Sequence, residues 1–464
     1  MRQTAPFSYH VCILNAWTRN YVSFWLPRVA LFLAFCFWAA RFNTALTQAP
    51  RFAADPQYQL YGRVDWWLLS AQCTQKSGVF LGACAPDGHF EPIENISLAE
   101  DRGHNLLVNF VAATRREPLT RVTLTRIQMA INAFGVLILA GVLASAGLVT
   151  AAALLLWMGA FWGVPGPLPG PDVPSSFFGI FALAMAPAAW AAAWSRISRV
   201  SIGFWIAGGV SFVALAATHL LRQPMGIGAV VLTASFLVVA ARRRPERAQR
   251  IAAWVGLVLV VLTLRSNAAL LGLRNQIWPM APSRYILTHG IYHNLYIGLG
   301  TEPNPWDIHY DNDAYGLRDA HKVDPTVEFC TPRYFAILRD LYLGLLKEEP
   351  GTILKIYARK IYKVWNSPFL FWRIPVRYYL LLMLIAWPWL WRIDPSKDAA
   401  RKWIAGSFVL STLFLALQGV LAKPVPMFLY PIKLGILLPF FVLADALFQR
   451  VLRRDSPDST PQEN

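Results

Sequence analysis

Roughly ten apolar runs of 14 to 23 residues dominate this chain, against the about 20 residues that a helix needs to cross a hydrocarbon core. They fall at 22–40, 127–149, 151–164, 177–194, 202–220, 225–241, 251–273, 378–391, 403–421 and 432–448. Backbone in lipid must satisfy its own N–H and C=O groups, so such runs fold as helices. The expected fold class is an all-α polytopic membrane protein of about ten transmembrane helices, with two large outer (periplasmic) loops that carry short amphipathic helices. Composition agrees: 56% of the 464 residues are hydrophobic and 15% are charged, whereas soluble domains carry near a quarter charged residues.

The order along the chain is a cytoplasmic lead at 1–21, then a membrane domain at 22–273 of about seven spans that includes the first outer loop, 41–126. A second large outer loop covers 274–377, the last three spans lie in 378–448, and a polar tail fills 449–464. Within the first outer loop, 65–75 and 98–114 fit amphipathic helices lying on the membrane. The second carries a helical segment at 334–365. No small-residue cleavage site follows the first run, so it reads as an uncleaved anchor.

The net charge of +17 would suit a nucleic-acid partner, but its distribution does not. Arg196 and Arg199, then Arg242, Arg243, Arg244, Arg247 and Arg250, then Arg450, Arg453 and Arg454 sit in short connectors beside apolar runs. That is the positive-inside pattern, and it places both termini in the cytoplasm. No basic groove with stacking aromatics is present, so no nucleic-acid partner is expected. No Walker A sequence, dinucleotide fingerprint or internal repeat occurs either. The five cysteines, Cys12, Cys36, Cys73, Cys84 and Cys330, form no CxxC pair. Cys73 and Cys84 share the first outer loop, where a disulfide and two free thiols are both compatible with the sequence.

Several blocks carry a family likeness. VDWWLLSAQCTQKSG with Asp65, the stretch at 119–147, YFAILRDLYLGLLKEEPGTILKIYARKIYKVW at 334–365 and VPMFLYPIKLGILLPFF at 425–441 follow one another on the ten-run scaffold. This arrangement resembles the GT-C superfamily of integral membrane glycosyltransferases, and within it bacterial glycosyltransferase family 39, whose donors are polyprenyl-phosphate-linked sugars. Asp65 stands alone before Trp66, where the family has an acidic pair, and the nearest true pair is Glu100 and Asp101. Leu429 and Tyr430 stand where an Arg-Tyr is usual. The resemblance implies a multi-pass protein of the bacterial inner membrane that moves a sugar from a polyprenyl-phosphate donor to a glycan or lipid acceptor on the outer face.

Such transfer needs a base for the acceptor hydroxyl and cations for the leaving phosphate. Asp65 fits the base by position, although a carboxylate there also suits the first turn of a helix. Glu100 and Asp101 share that ambiguity. Arg265 near the outer end of a span, with Arg222 and Lys433, breaks the positive-inside trend and suits a lipid phosphate. Snorkelling and interface anchoring are the plainer roles of such residues.

The stretch 285–316 gathers His289, His293, Asp307, His309, Asp311 and Asp313 among aromatics. His289 and His293, four apart, suit an acceptor site, a metal or simple interfacial hydrogen bonding. Asp311 and Asp313 can converge on one divalent metal, though Asp and Asn also form turns. No other cofactor is called for. Two other readings stand beside the transferase: a polysaccharide polymerase or ligase using a diphosphate-linked glycan, and a non-catalytic transporter or assembly protein. The span centres carry almost no ionisable groups, which disfavours ion-coupled transport.

Overall fold

The computed structural model of the protein describes residues 7–54, 63–84, 89–96, 102–115, 117–162, 174–197, 201–243, 246–280, 290–310, 314–366, 375–392, 399–422 and 426–454. Helix α1 (Phe7–Ala54) leads to a first insert made of α2 (Arg63–Ser77), strands β1 (Gly82–Cys84) and β2 (Phe90–Pro92), α3 (Ile93–Ile96) and α4 (Arg102–Thr114). Then follow α5 (Arg121–Ser145), α6 (Val149–Trp162), α7 (Pro174–Trp194), α8 (Ile202–Leu221), α9 (Gln223–Arg243), α10 (Arg247–Thr263) and α11 (Ser266–Ile277). A second insert holds α12 (Ile291–Gly298), α13 (Ala314–Val323), α14 (Pro332–Glu348) and α15 (Pro350–Asn366). The chain ends in α16 (Val376–Arg392), α17 (Ala399–Leu421) and α18 (Pro426–Arg454).

Among the described residues, six helices are long and apolar enough to cross a membrane: Phe24–Ala54, Arg121–Ser145, Ile202–Leu221, Gln223–Arg243, Ala399–Leu421 and Leu434–Val451. The α10 and α11 pair makes a seventh if taken as one span bent by 60°. Val149–Ala160, Gly179–Trp194 and Val376–Ile385 are apolar but shorter. The protein is thus an all-α, membrane-embedded bundle.

Its centre is α7. Residues 179–195 are all buried, because the helix is apolar on every side and rich in alanine, which lets neighbours approach closely. The closest approach is to α5. The amide of Gly179 donates to Asn132 Oδ1 at 2.8 Å, and a Cβ on Gly179 would collide with the Asn132 backbone. On another face Trp190 packs over Gly208 and donates its indole N–H to the Phe204 carbonyl at 2.9 Å.

The two ends of the bundle differ. At one, Asp445 accepts from Arg401 Nε at 3.0 Å and from the Thr150 amide at 2.9 Å. There the Arg196 and Arg243 guanidinium groups lie 4.2 and 5.2 Å from the Trp403 ring. At the other end sit both inserts. Gly103 of α4 presses on Leu220 and Leu221 at the end of α8, and Gly298 of α12 on Leu421 and Ala422 at the end of α17.

Three segments depart from the sequence reading. Helix α1 continues to Ala54 rather than ending near Arg41. The helical segment at 334–365 divides at Glu349, whose φ of −131° and ψ of 56° are not helical; the proline at 350 disfavours helical backbone in the residue before it. The run 251–273 breaks although it holds no proline at the bend. Its last turn tightens there, the amides of Leu264 and Arg265 bonding to the carbonyls of Val261 and Leu262 at 3.1 and 2.9 Å.

Candidate functional site

Helices α2 and α4 of the first insert run side by side in parallel. Trp67 stacks on His104 at 5.3 Å, the Ser70 hydroxyl donates to Asn105 Oδ1 at 3.0 Å, and Gln75 Nε2 donates to the Glu117 carbonyl at 2.8 Å. Asn109 Nδ2 donates to Ser70 Oγ at 3.0 Å, and its Oδ1 accepts the Leu81 amide at 2.8 Å. A disulfide between Cys73 and Cys84 fastens the end of α2 to β1. This register sets the first turn of α2, which contains Asp65, level with the first turn of α4, which begins at Arg102.

Against that level lies a buried cationic cluster. Arg102, Arg222 and Arg274 are 5%, 6% and 5% exposed, and Glu94 is 2% exposed. Arg274 comes from α11, and its Nη1 donates to Glu94 Oε2 at 2.5 Å and to the Leu81 carbonyl at 3.0 Å. Arg222 follows α8 directly, at the turn into α9. Burial lowers the pKa of Arg102 below its ordinary value; the Glu94 carboxylate opposes that shift and Arg274 adds to it. Arg102 Nε is buried with no hydrogen-bond partner among the described residues. Asn267 Nδ2, just beyond the α10–α11 bend, donates to the His219 carbonyl at 3.4 Å.

Buried guanidinium groups are costly unless a negative charge compensates them. Among the described residues Glu94 is the carboxylate that meets Arg274 and Arg102, and guanidinium groups of this kind also bind anions through charge-assisted hydrogen bonds. The cluster lies where α4, α8 and the bent pair meet, at the insert-bearing end.

Of the residues singled out from sequence, Arg222 is buried at the turn between α8 and α9, next in the chain to Leu221, against which Gly103 packs. Arg265 is exposed at the bend itself, one residue after Leu264. For Asp65 and Lys433 the helix backbone alone is described, in α2 and α18. Glu100, Asp101, His289, Asp311 and Asp313 lie outside the described residues. His293 is fully buried in the separate core of the second insert, its Nδ1 2.7 Å from the Tyr334 hydroxyl. In the same insert, Asp307 pairs with His309 at 2.8 Å on the surface, a bond that holds the Asp307 carboxyl below the usual range. Among the described residues no three His, Cys, Asp or Glu side chains converge as metal ligands.

Sequence reasoning missed Arg102, Arg274 and Glu94. Arg274 closes an apolar run and so reads as a loop residue, while its partner lies 180 positions away. Only the fold joins them. Comparison with protein-family models, curated proteins and solved structures finds no match to this chain. The functional reading therefore rests on the chemistry of the site.

Proposed function

We propose that the protein is an integral membrane glycosyltransferase of the GT-C kind, which moves a sugar from a polyprenyl-phosphate donor to a cell-envelope glycan or lipid. The observation that carries this reading is the buried arginine cluster set level with the helix turn that contains Asp65. The Asp65 carboxylate takes the proton of an acceptor hydroxyl, whose oxygen bonds to the anomeric carbon as the bond to the lipid phosphate breaks. The departing phosphate gains negative charge, and Arg102, with Arg222 at the turn after α8, stabilises it. Arg265 at the bend and Lys433 on α18 complete the phosphate-binding set.

On this reading the bent pair and the three shorter apolar helices are also spans, which gives about ten. The arginine-rich end then faces the bacterial cytoplasm and the inserts face outward. The alternation of ends supports this count. Thr150 at the start of α6 sits with Arg401 and Asp445, opposite the inserts.

The test is thermal stability of the purified protein with polyprenyl monophosphate or polyprenyl diphosphate, in wild type, Asp65→Asn and Arg102→Gln. A ligand at 100 times its Kd adds about 2.7 kcal/mol to the native state. The monophosphate is expected to raise Tm in wild type and in Asp65→Asn but not in Arg102→Gln, with transfer activity lost in Asp65→Asn. A response to diphosphate alone would turn the reading to a polymerase or ligase. No response to either would defeat it.

A further inference from the structure

Helix α15 has three faces where a solvated surface helix has two. With successive residues turned by about 100°, Ile353, Ile356, Lys360 and Val364 form one buried stripe. Lys355, Arg359 and Lys363 form a second stripe, basic and exposed. The third is apolar yet open: Leu354 and Tyr362 are each 67% exposed, Ile361 53% and Trp365 37%, with exposed Ala358 among them. Ordinary surface helices do not present a second apolar face to water.

The height of the helix says what covers that face. Lys360 Nζ donates to the carbonyls of Ala422 and Leu421 at 3.0 and 3.5 Å, at the end of α17, a candidate span. Arg377, in the first turn of apolar α16, donates to Asn366 Oδ1 at 2.7 Å and so fixes the C-terminal end of α15. The helix is pinned where two apolar helices end, which is the level of a bilayer surface. Aromatic residues and basic side chains flanking an apolar stripe are what an in-plane interfacial helix carries.

We propose that α15 is a lipid-docking helix: the stripe of Leu354, Ile361, Tyr362 and Trp365 enters the leaflet beside α16 and α17, and Lys355 and Arg359 bind anionic phospholipid headgroups, while Lys363 pairs with Glu302. A basic stripe beside the apolar one selects an acidic leaflet over a second copy of this chain, which would set like charges together. This surface is separate from the arginine cluster and stands whether or not the protein transfers sugars.

Two measurements on the full chain in nanodiscs test it. The first places spin labels at Leu354→Cys, Ile361→Cys and Lys355→Cys in a background of Cys12→Ser, Cys36→Ser and Cys330→Ala. Oxygen, which concentrates in lipid, is expected to relax the labels at 354 and 361 more than a water-soluble nickel chelate does, with the reverse at 355. Equal access of the chelate to all three sites overturns the proposal, as does shielding of 354 and 361 from both reagents, which would mean a protein partner. The second keeps the native cysteines and compares Tm in phosphatidylcholine discs with and without phosphatidylglycerol. Wild type is expected to gain Tm from the anionic lipid and Lys355→Gln/Arg359→Gln to lose that gain. An equal gain in both overturns the headgroup assignment.

Discussion

Arg274 and Glu94 form an ion pair of 2.5 Å whose side chains are 4% and 1% exposed, and it joins α11 to the first insert. Removing one member leaves the other charge buried alone, at a cost of about 3–5 kcal/mol. Arg274→Met and Glu94→Leu are each expected to lower Tm strongly in detergent. The double variant Glu94→Leu/Arg274→Met replaces the pair by apolar side chains and is expected to recover most of that loss. Additive losses in the double variant would show that the two charges do not depend on one another.

Lys360 is fully buried, and burial pulls its pKa from 10.5 to about 7, with Glu302 opposing the shift and Lys363 adding to it. The unfolded chain then binds more protons than the native one between pH 7 and 10.5, so this lysine makes stability rise with pH across that window. Below it the burial penalty is present in full. The Tm of wild type relative to Lys360→Met is therefore expected to climb as pH is raised from neutrality toward the upper limit. A difference that stays flat would mean that the buried amine keeps its ordinary proton affinity.

Gly179 allows α7 to touch α5 at the backbone of Asn132. An added methyl there meets main chain that cannot turn aside, and overpacking of this kind costs about 1–3 kcal/mol. Gly179→Ala is expected to lower Tm, whereas Gly141→Ala, which has nothing within 4 Å of its added carbon, is expected to leave it near wild type.

The Cys73–Cys84 disulfide closes a loop of sequence separation 11, and bridging a loop of that size contributes about 2–3 kcal/mol. Both cysteines are expected to be alkylated in the denatured protein only after reduction. Cys73→Ser/Cys84→Ser is expected to melt earlier and to expose the first insert to protease. Alkylation without reductant would show that the bridge is not formed in the purified protein.

The apolar runs are helical where they are described, and six of the helices, or seven with the bent pair, are long and apolar enough to cross a membrane, because long apolar stretches leave little else for a backbone in lipid to do. The stretch at 65–75 lies within α2, and the described part of the stretch at 98–114 is α4. Local chemistry carried that far. The bend before Ser266 carries no glycine or proline to announce it. Arg222 stood out because it breaks a charge trend along the chain. Arg102 did not, being one basic residue in a polar stretch, and its burial depends on Gly103 fitting against Leu220. The choice between disulfide and free thiols at Cys73 and Cys84 turned on the fold of β1 onto α2, which spacing alone does not specify.

The enclosed position of α7 also bears on how the protein is made. A ribosome delivers α5, α8 and α9 soon before or after it, but α17, which lines another of its sides, emerges only after all the helices from α8 to α16. Until then one flank of an alanine-rich helix, weakly held by lipid on its own, has no protein neighbour. A nascent chain stopped short of α17 would thus carry an unfinished bundle, recognisable to membrane quality control. Loss of the C-terminal part would remove far more than the residues deleted, since the helix at the centre would lose its enclosure.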